Sequence, residues 1–280
     1  TPNPHPNALL HVELGSSTTK GFLVTGQFDG TSTVPDFGSG SRMMFYPGKS
    51  AFRAGTVGGL QWDNTNVGQF STAMGYDITA RGTYSSAMGF GTFAGGSYST
   101  AIGRVTRAEG QNSTAMGFIT TAGGYNSTAM GINTKAKGFA SAVIGMYNDP
   151  ILLSDETAVN PITTPLFIIG NGDADNIRSN AIVVQNNGNV GIGTSSPANA
   201  GLVVNKAIGA TYGLFGGNNL GVSLQANTPG IGFNEYFNGG SNFIGSGYAG
   251  KIAMTQANDD FNIYKSNINR TQEASAIILP

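Results

Sequence analysis

The chain has 280 residues, of which 10% are charged, and a formal net charge of −1. That balance offers no basic face for nucleic acid or an anionic membrane. Without cysteine there is no thiol redox chemistry and no thiolate metal site, and no apolar run approaches the ~20 residues of a membrane-spanning helix.

The first residues, Thr1-Pro2-Asn3-Pro4, are neither an initiator Met nor a signal peptide, so the chain reads as a processed product or a piece of a longer one. Residues 8–12 (ALLHV) and 21–24 (GFLV) are predicted strands, and 26–40 is Gly/Ser/Asp-rich and turn-like. Residues 42–55 (RMMFYPGKSAFRAG) mix aromatics and bases around a Pro47-Gly48 turn. Such a mix can stack on bases or sugars. The preferred reading is an amphipathic hairpin that covers the open end of the repeat array that follows, since a bare solenoid end exposes unpaired strand edges. Residues 1–60 are taken as an N-terminal β module, partial at its start. Residues 61–67, with the single Trp62, lead into the array.

From 68 onward glycine recurs at every seventh position: Gly68, Gly75, Gly82, Gly89, Gly96, Gly103, Gly110, Gly117, Gly124, Gly131, Gly138 and Gly145. Alanine stands two residues before nearly every one, from Ala73 to Ala136, with Val143 at the last place. The residue between them alternates in class. Met74, Met88, Ile102, Met116, Met130 and Ile144 form one series, and Arg81, Gly95, Glu109, Gly123 and Lys137 the other. The true repeat is therefore 14 residues in two halves. A coiled coil is excluded, because each Gly costs a helix roughly 1 kcal/mol relative to Ala. Disorder would place no constraint on phase.

A β-solenoid satisfies the pattern. Ser71, Ala73 and Gly75 share one face of a short strand, Thr72 and Met74 the other. Glycine ends each strand, where a tight corner calls for φ > 0. Fourteen residues close one coil, and stacked coils form two parallel sheets back to back. Both Ala columns point inward, because only small side chains fit between sheets so close together. The Ser column (Ser71, Ser85, Ser99, Ser113, Ser127, Ser141) has the same parity and is expected to hydrogen-bond near the corners. Alternation alone leaves the opposite facing open. One outer face then carries Arg81, Glu109 and Lys137, and the other the Met/Ile stripe. Exposing that stripe forgoes roughly 1.5–3 kcal/mol per side chain, so it marks an interface. Three rolls about one axis would bury all three stripes, giving a homotrimer; a dimer would hide them too.

The array resembles the YadA-like head repeat of trimeric autotransporter adhesins, with its N-S-x-A-x-G core. Asn112 to Gly117 and Asn126 to Gly131, both NSTAMG, match that core at every fixed position. The resemblance implies a left-handed parallel β-roll over residues 61–147, trimeric, on a bacterial surface fibre. The family's collagen binding would map onto the two NSTAMG coils. The segment RMMFYPGKSAFRAG, then QWD, then STAMG coils also looks like trimeric fibre proteins common among Bacteroidota, many of them tail-fibre-like.

Residues 148–189 are taken as a connector with short strands at 166–170 (LFIIG) and 181–185 (AIVVQ). Asp173 and Asp175 in the loop between them are too few carboxylates for a calcium site, and a solvated turn is preferred. Residues 187–197 (NGNVGIGTSSP) resemble a recurrent segment of the same fibres; the G-I-G lacks the third Gly and following helix of a dinucleotide site. Residues 190–280 are taken as a C-terminal β module. Residues 194–204 can be laid on 1–11, with Thr194, Pro197 and Leu202 on Thr1, Pro4 and Leu9. Strands are predicted at 213–215, 221–224, 231–236, 251–255, 261–264 and 276–279.

No catalytic constellation emerges. The two histidines, His5 and His11, have no partner that the sequence assigns, and the acidic residues are scattered. No metal or cofactor is expected. The expected function is a non-catalytic extracellular trimeric fibre that presents a surface to a receptor, glycan or matrix protein. Its setting is a bacterial cell surface or, alternatively, the receptor-binding tail fibre of a phage or injection particle. A polysaccharide-degrading fibre enzyme is the remote alternative, and ice binding is disfavoured because the Thr column lies beside the Met stripe. Recognition draws on clustered aromatics and Arg. Those stand before the roll (Arg42, Phe45, Tyr46, Phe52, Arg53, Trp62) and after it, where Phe233, Tyr236, Phe237, Phe243 and Tyr248 are the chosen ligand-binding residues.

Overall fold

The computed structural model describes residues 23–150, 164–197 and 201–205 and, beyond residue 210, the strands named below. The chain is all-β and forms two compact units, Thr1–Ile119 and Thr120–Pro280.

In the first unit, β1 (Gly40–Tyr46) and β2 (Ala51–Val57) make the expected antiparallel hairpin. A 3-10 turn over Pro47–Lys49 joins them, with Pro47 presetting φ and Ser50 leaving at φ 47. β2 pairs in parallel with β3 (Thr72–Tyr76), and from there the chain coils. Each coil carries one long and one short strand: β3 with β4 (Thr79–Ala80), β5 (Ser86–Phe90) with β6 (Phe93–Ala94), and β7 (Thr100–Arg104) with β8 (Arg107–Ala108). The unit's last long strand is β9 (Thr114–Phe118). Long strands stack in parallel register in one sheet, with Ala73 on Ala87 and Met74 on Met88, and short strands stack in a second. The two expected sheets are present, but the halves are unequal, five residues against two.

The second unit repeats this with β10 (Thr121–Ala122), β11 (Thr128–Ile132), β12 (Lys135–Ala136) and β13 (Ala142–Met146). Its long-strand sheet then outlasts the 14-residue repeat. β13 pairs in parallel with β14 (Pro165–Asn171), which pairs antiparallel with β15 (Asn180–Gln185). β15 pairs antiparallel with β16 (Val190–Ile192), and β16 in parallel with β17 (Leu202–Val204). A further antiparallel sheet holds β18 (Thr211–Gly217), β19 (Leu220–Gln225) and β20 (Gly230–Phe233). β21 (Glu235–Phe237) and β22 (Ser241–Phe243) form a two-stranded ribbon. β23 (Ala249–Thr255), β24 (Asp260–Ser266) and β25 (Gln272–Glu273) complete the sheet beside β20. The strands expected at 8–12 and 276–279, and the residues 1–11 laid on 194–204, lie outside the described residues. Of the strand expected at 21–24, Gly21 and Phe22 lie outside the described residues. Leu23 and Val24 are exposed and in no strand, and no strand pairs with them among the described residues.

Burial fixes the facing of the columns. Ala73, Ala87 and Ala101 of the long strands and Ala80, Ala94 and Ala108 of the short strands are fully buried, as are Ala129, Val143 and Ala136 in the second unit. The Ser column points inward with them. Ser85 Oγ donates to Gly82 O at 2.6 Å and Ser141 Oγ to Gly138 O at 2.7 Å, whereas the hydroxyls of Ser99 and Ser127 are buried with no hydrogen-bond partner. A third inward column was not anticipated: Ile78, Thr92 and Thr106, and in the second unit Thr120, Thr134 and Asn148. The Thr hydroxyls of this column find no partner, so the side chains act as volume. Thr106→Val keeps that volume and removes an unsatisfied hydroxyl. It is expected to raise stability by about 1 kcal/mol, read from denaturant unfolding; a loss would show that the hydroxyl is in use.

Each unit has a polar side chain that caps its own core. In the first unit Arg53 takes the position that Ala73 holds in the next strand and is completely buried. Its guanidinium donates to Phe52 O (2.8 Å), Ser71 O (2.9 Å), Ser71 Oγ (2.8 Å) and Ala80 O (3.1 Å), closing the roll's end with a planar fork of donors. Burial lowers its pKa to about 10, so it stays charged at neutral pH. Lys49 Nζ donates to Asn64 O and Val67 O beside it, and buried Trp62 donates Nε1–H to Ile78 O at 3.0 Å. Arg53→Ala strips several backbone acceptors of their donor and is expected to cost about 2 kcal/mol, with Arg53→Lys failing to restore it. Unchanged urea midpoints would contradict this role. In the second unit Asn148 does the equivalent. It receives Lys135 N–H at 2.7 Å and donates to Lys135 O at 3.1 Å, as a neighbouring strand would.

Candidate functional site

Every letter of the NSTAMG motif has a position in the coil. The turn Gly110–Ser113 closes with Ser113 N–H donating to Gly110 O at 3.3 Å, and Asn112 within it sits at φ 54. A hydrogen-bonded turn with positive φ at its third residue has the pattern of type II, which favours Gly or Asn there. Ser113 turns inward, Thr114 outward, Ala115 into the core and Met116 outward, and Gly117 follows at φ 123. Tyr84 and Tyr98 fill the Asn place at φ 58 and 59. The twelve glycines divide into two groups. Gly75, Gly89, Gly103, Gly117, Gly131 and Gly145 have φ between 101 and 133. The other six lie outside that region, and there close approach decides: a Cβ on Gly82 would stand 1.9 Å from Gly96 O. The positive φ expected of glycine is thus met at six of the twelve, and a second residue with positive φ stands two places after each glycine.

The Met/Ile stripe faces outward. Met74, Met88, Ile102 and Ile144 are partly exposed, and Met116 and Met130 are 39% and 40% exposed. The next outward column of the long sheet is apolar as well: Tyr76, Phe90 and Phe118 in the first unit, Ile132 and Met146 in the second. Arg104 interrupts it, its guanidinium lying over Phe90 and Phe118 at 5.8 and 5.1 Å. At the adjoining corner Val105 and Ile119 are exposed at φ 58 and 56, a conformation that β-branched residues rarely adopt. Their N–H groups donate to Phe90 O and Arg104 O, which holds the corner in place. At the other corner Phe70, Tyr84 and Tyr98 stack with centroids 4.7 and 4.9 Å apart, so their faces meet each other and their edges meet solvent. The short-strand face is the charged one, with exposed Arg81 and the pair Arg107–Glu109 at 2.6 Å.

The flanking aromatics divide. Arg53 and Trp62 belong to the cap and present nothing to a ligand, and Tyr46 packs against the same cluster with its hydroxyl donating to Thr33 O. Arg42 lies over the Phe37 and Trp62 rings at 5.5 and 5.8 Å. Phe45 remains exposed. Of the chosen ligand residues, Phe233 ends β20 and is 45% exposed. Tyr236, Phe237 and Phe243 lie on the ribbon, with Tyr236 opposite Asn242 and Phe243 opposite Glu235, and Tyr248 is outside the described residues. Asp175 is engaged by the Arg178 guanidinium and by Asn133 Nδ2, and that hydrogen bonding holds its carboxyl below the usual range. Arg178 also donates to Asn133 O and Asn148 O. No group of three potential metal ligands occurs among the described residues, and no helix there is long and apolar enough to cross a membrane. His5 and His11 lie outside them.

The model of one protein family, the YadA head domain repeat, matches residues 67–92, 80–106, 94–118, 108–134 and 122–138. Together these overlapping matches reach from 67 to 138, about a quarter of the chain, and leave both flanks unmatched. No curated protein and no solved structure matches the chain.

Proposed function

We propose that the chain is a segment of an extracellular, non-catalytic, trimeric adhesin fibre, in which the roll is a spacer and the C-terminal sheet presents the binding surface. The observation that carries this reading is the outward Met/Ile stripe on repeats that match the YadA head, since YadA-type domains form homotrimers. Full burial of such a side chain is worth roughly 1.5–3 kcal/mol, and the exposed part of each stripe residue forgoes its share of that, a loss that burial between copies removes. Val105 and Ile119 support it. An isolated roll is better served by Asn or Gly at φ near 57, whereas a corner covered by a neighbouring copy gains from apolar side chains. The charged short-strand face stays in solvent.

The roll offers a ligand few anchors, because the NSTAMG residues are spent on turn, core and stripe. The receptor, glycan or matrix protein contacts residues 231–248, where Phe233 is exposed beside the ribbon of Tyr236 and Phe237. The test compares the full chain with one ending at residue 205, which keeps β17 and removes the following sheet whole. On a panel of host cells, bacterial surfaces and matrix proteins, the full chain is expected to bind and the shortened one to lose at least tenfold in affinity. Equal binding by the two would place recognition in the roll or before it.

A further inference from the structure

The strand register carries the stripe beyond the repeats. On the N-terminal side Met74 pairs with Ala54 of β2, and Ala54 with Met43 of β1. Met43 is 74% exposed, and Phe45, two residues on, points to the same side of its strand. On the C-terminal side, within the second unit, Ile144 pairs with Ile169, Ile169 with Ile182, Ile182 with Ile192, and Ile192 with Val204. The irregularities of β14 fall on either side of residues 167–169, so parity is kept through that step. The inward neighbours confirm it, because Ile168 and Val183 are buried while Ile169, Ile182, Ile192 and Val204 are each partly exposed.

We propose that in each unit the flanking strands extend that unit's self-association surface, so that copies of this chain meet along Met43 of the hairpin in the first unit and along Ile169, Ile182, Ile192 and Val204 in the second, as well as along the coils of each. This rests on the reading that the roll's stripe is buried between copies. Three features select a second copy as the occupant. The outward positions of β14–β17 hold no charged residue, while Asp173, Asp175 and Arg178 are confined to the β14–β15 loop. The apolar column follows the stripe strand by strand from Ile144 to Val204, and the irregularities of β14 leave its parity unchanged. A partner must present the same inter-strand repeat over the same length, and another copy of this chain does so by construction.

The chain has no cysteine, so single cysteines report cleanly. Full-length Met88→Cys, Met43→Cys, Ile182→Cys and, as a control on the charged face, Glu109→Cys are treated with a short bismaleimide and run on denaturing gels. The expected result is interchain products at Met43→Cys and Ile182→Cys at least five times those at Glu109→Cys, alongside those at Met88→Cys. Products at Met88→Cys with failure at either flanking position overturn this inference and leave the roll reading standing. No product at any position overturns both, and equal products at all four mark random collision and overturn this inference.

Discussion

Replacing Gly103 with Val is expected to unfold the first unit's roll. Gly103 stands at φ 127, and a Cβ there would lie 2.1 Å from Gly117 O and 3.0 Å from Gly117 C and N. Two penalties act together. The backbone conformation alone costs a side-chain-bearing residue about 1–3 kcal/mol. The overlap is with the backbone of β9, the strand to which β7 is itself paired, which cannot retreat without opening that pairing. The sum exceeds about 3 kcal/mol, a large part of the stability of an ordinary domain. Gly117, at φ 123, is expected to behave alike. Gly91→Asn is the control. Its φ is 61 and the nearest atom to an added Cβ is Val105 Cγ2 at 3.7 Å, and Asp77 and Val105 occupy the same corner in adjacent coils. Thermal melts of the three variants check the distinction; a Gly103→Val melt like the parent's would contradict it.

The double substitution Met88→Lys, Met116→Lys is expected to abolish assembly. Both residues project from the long sheet in parallel register with Ile102 between them. If three stripes share an axis, the change places six ammonium groups along it, and burying unpaired charges costs several kcal/mol each. In the isolated roll both positions are partly exposed, so a Lys there reaches water and folding survives. Monomers with the parent's circular dichroism, or insoluble chain, are therefore expected in sedimentation. A soluble oligomer with unchanged melting would mean that the stripe faces something other than another copy.

The sequence carried much of this because a solenoid writes each spatial column as a fixed period. Ala73, Ala87 and Ala101 are seen to share an environment before any coordinate is known, and Met74, Met88 and Ile102 to share another. What the period did not carry is where strict alternation fails. Thr92 and Thr106 recur at the same spacing, yet a left-handed corner residue lies between them and the preceding Ala, and parity cannot be counted through it. The hairpin cap is legible in residues 42–55, but the part that Arg53 plays in it is not, because a cation among aromatics ordinarily lies at the surface. Its acceptors, Ser71 O and Ala80 O, are far along the chain and meet it only once the coil is closed. β14–β17 broke the 14-residue rhythm, so their continuation of the same sheet was hidden, although the alternation in residues 166–170 and 181–185 was already that of half-buried strands.

The most direct test of the account is the native mass of the full chain. By native mass spectrometry from micromolar solution, a species of three chains is expected, persisting as the protein is diluted and giving way to single chains only when it unfolds. A folded species of one or two chains would contradict it.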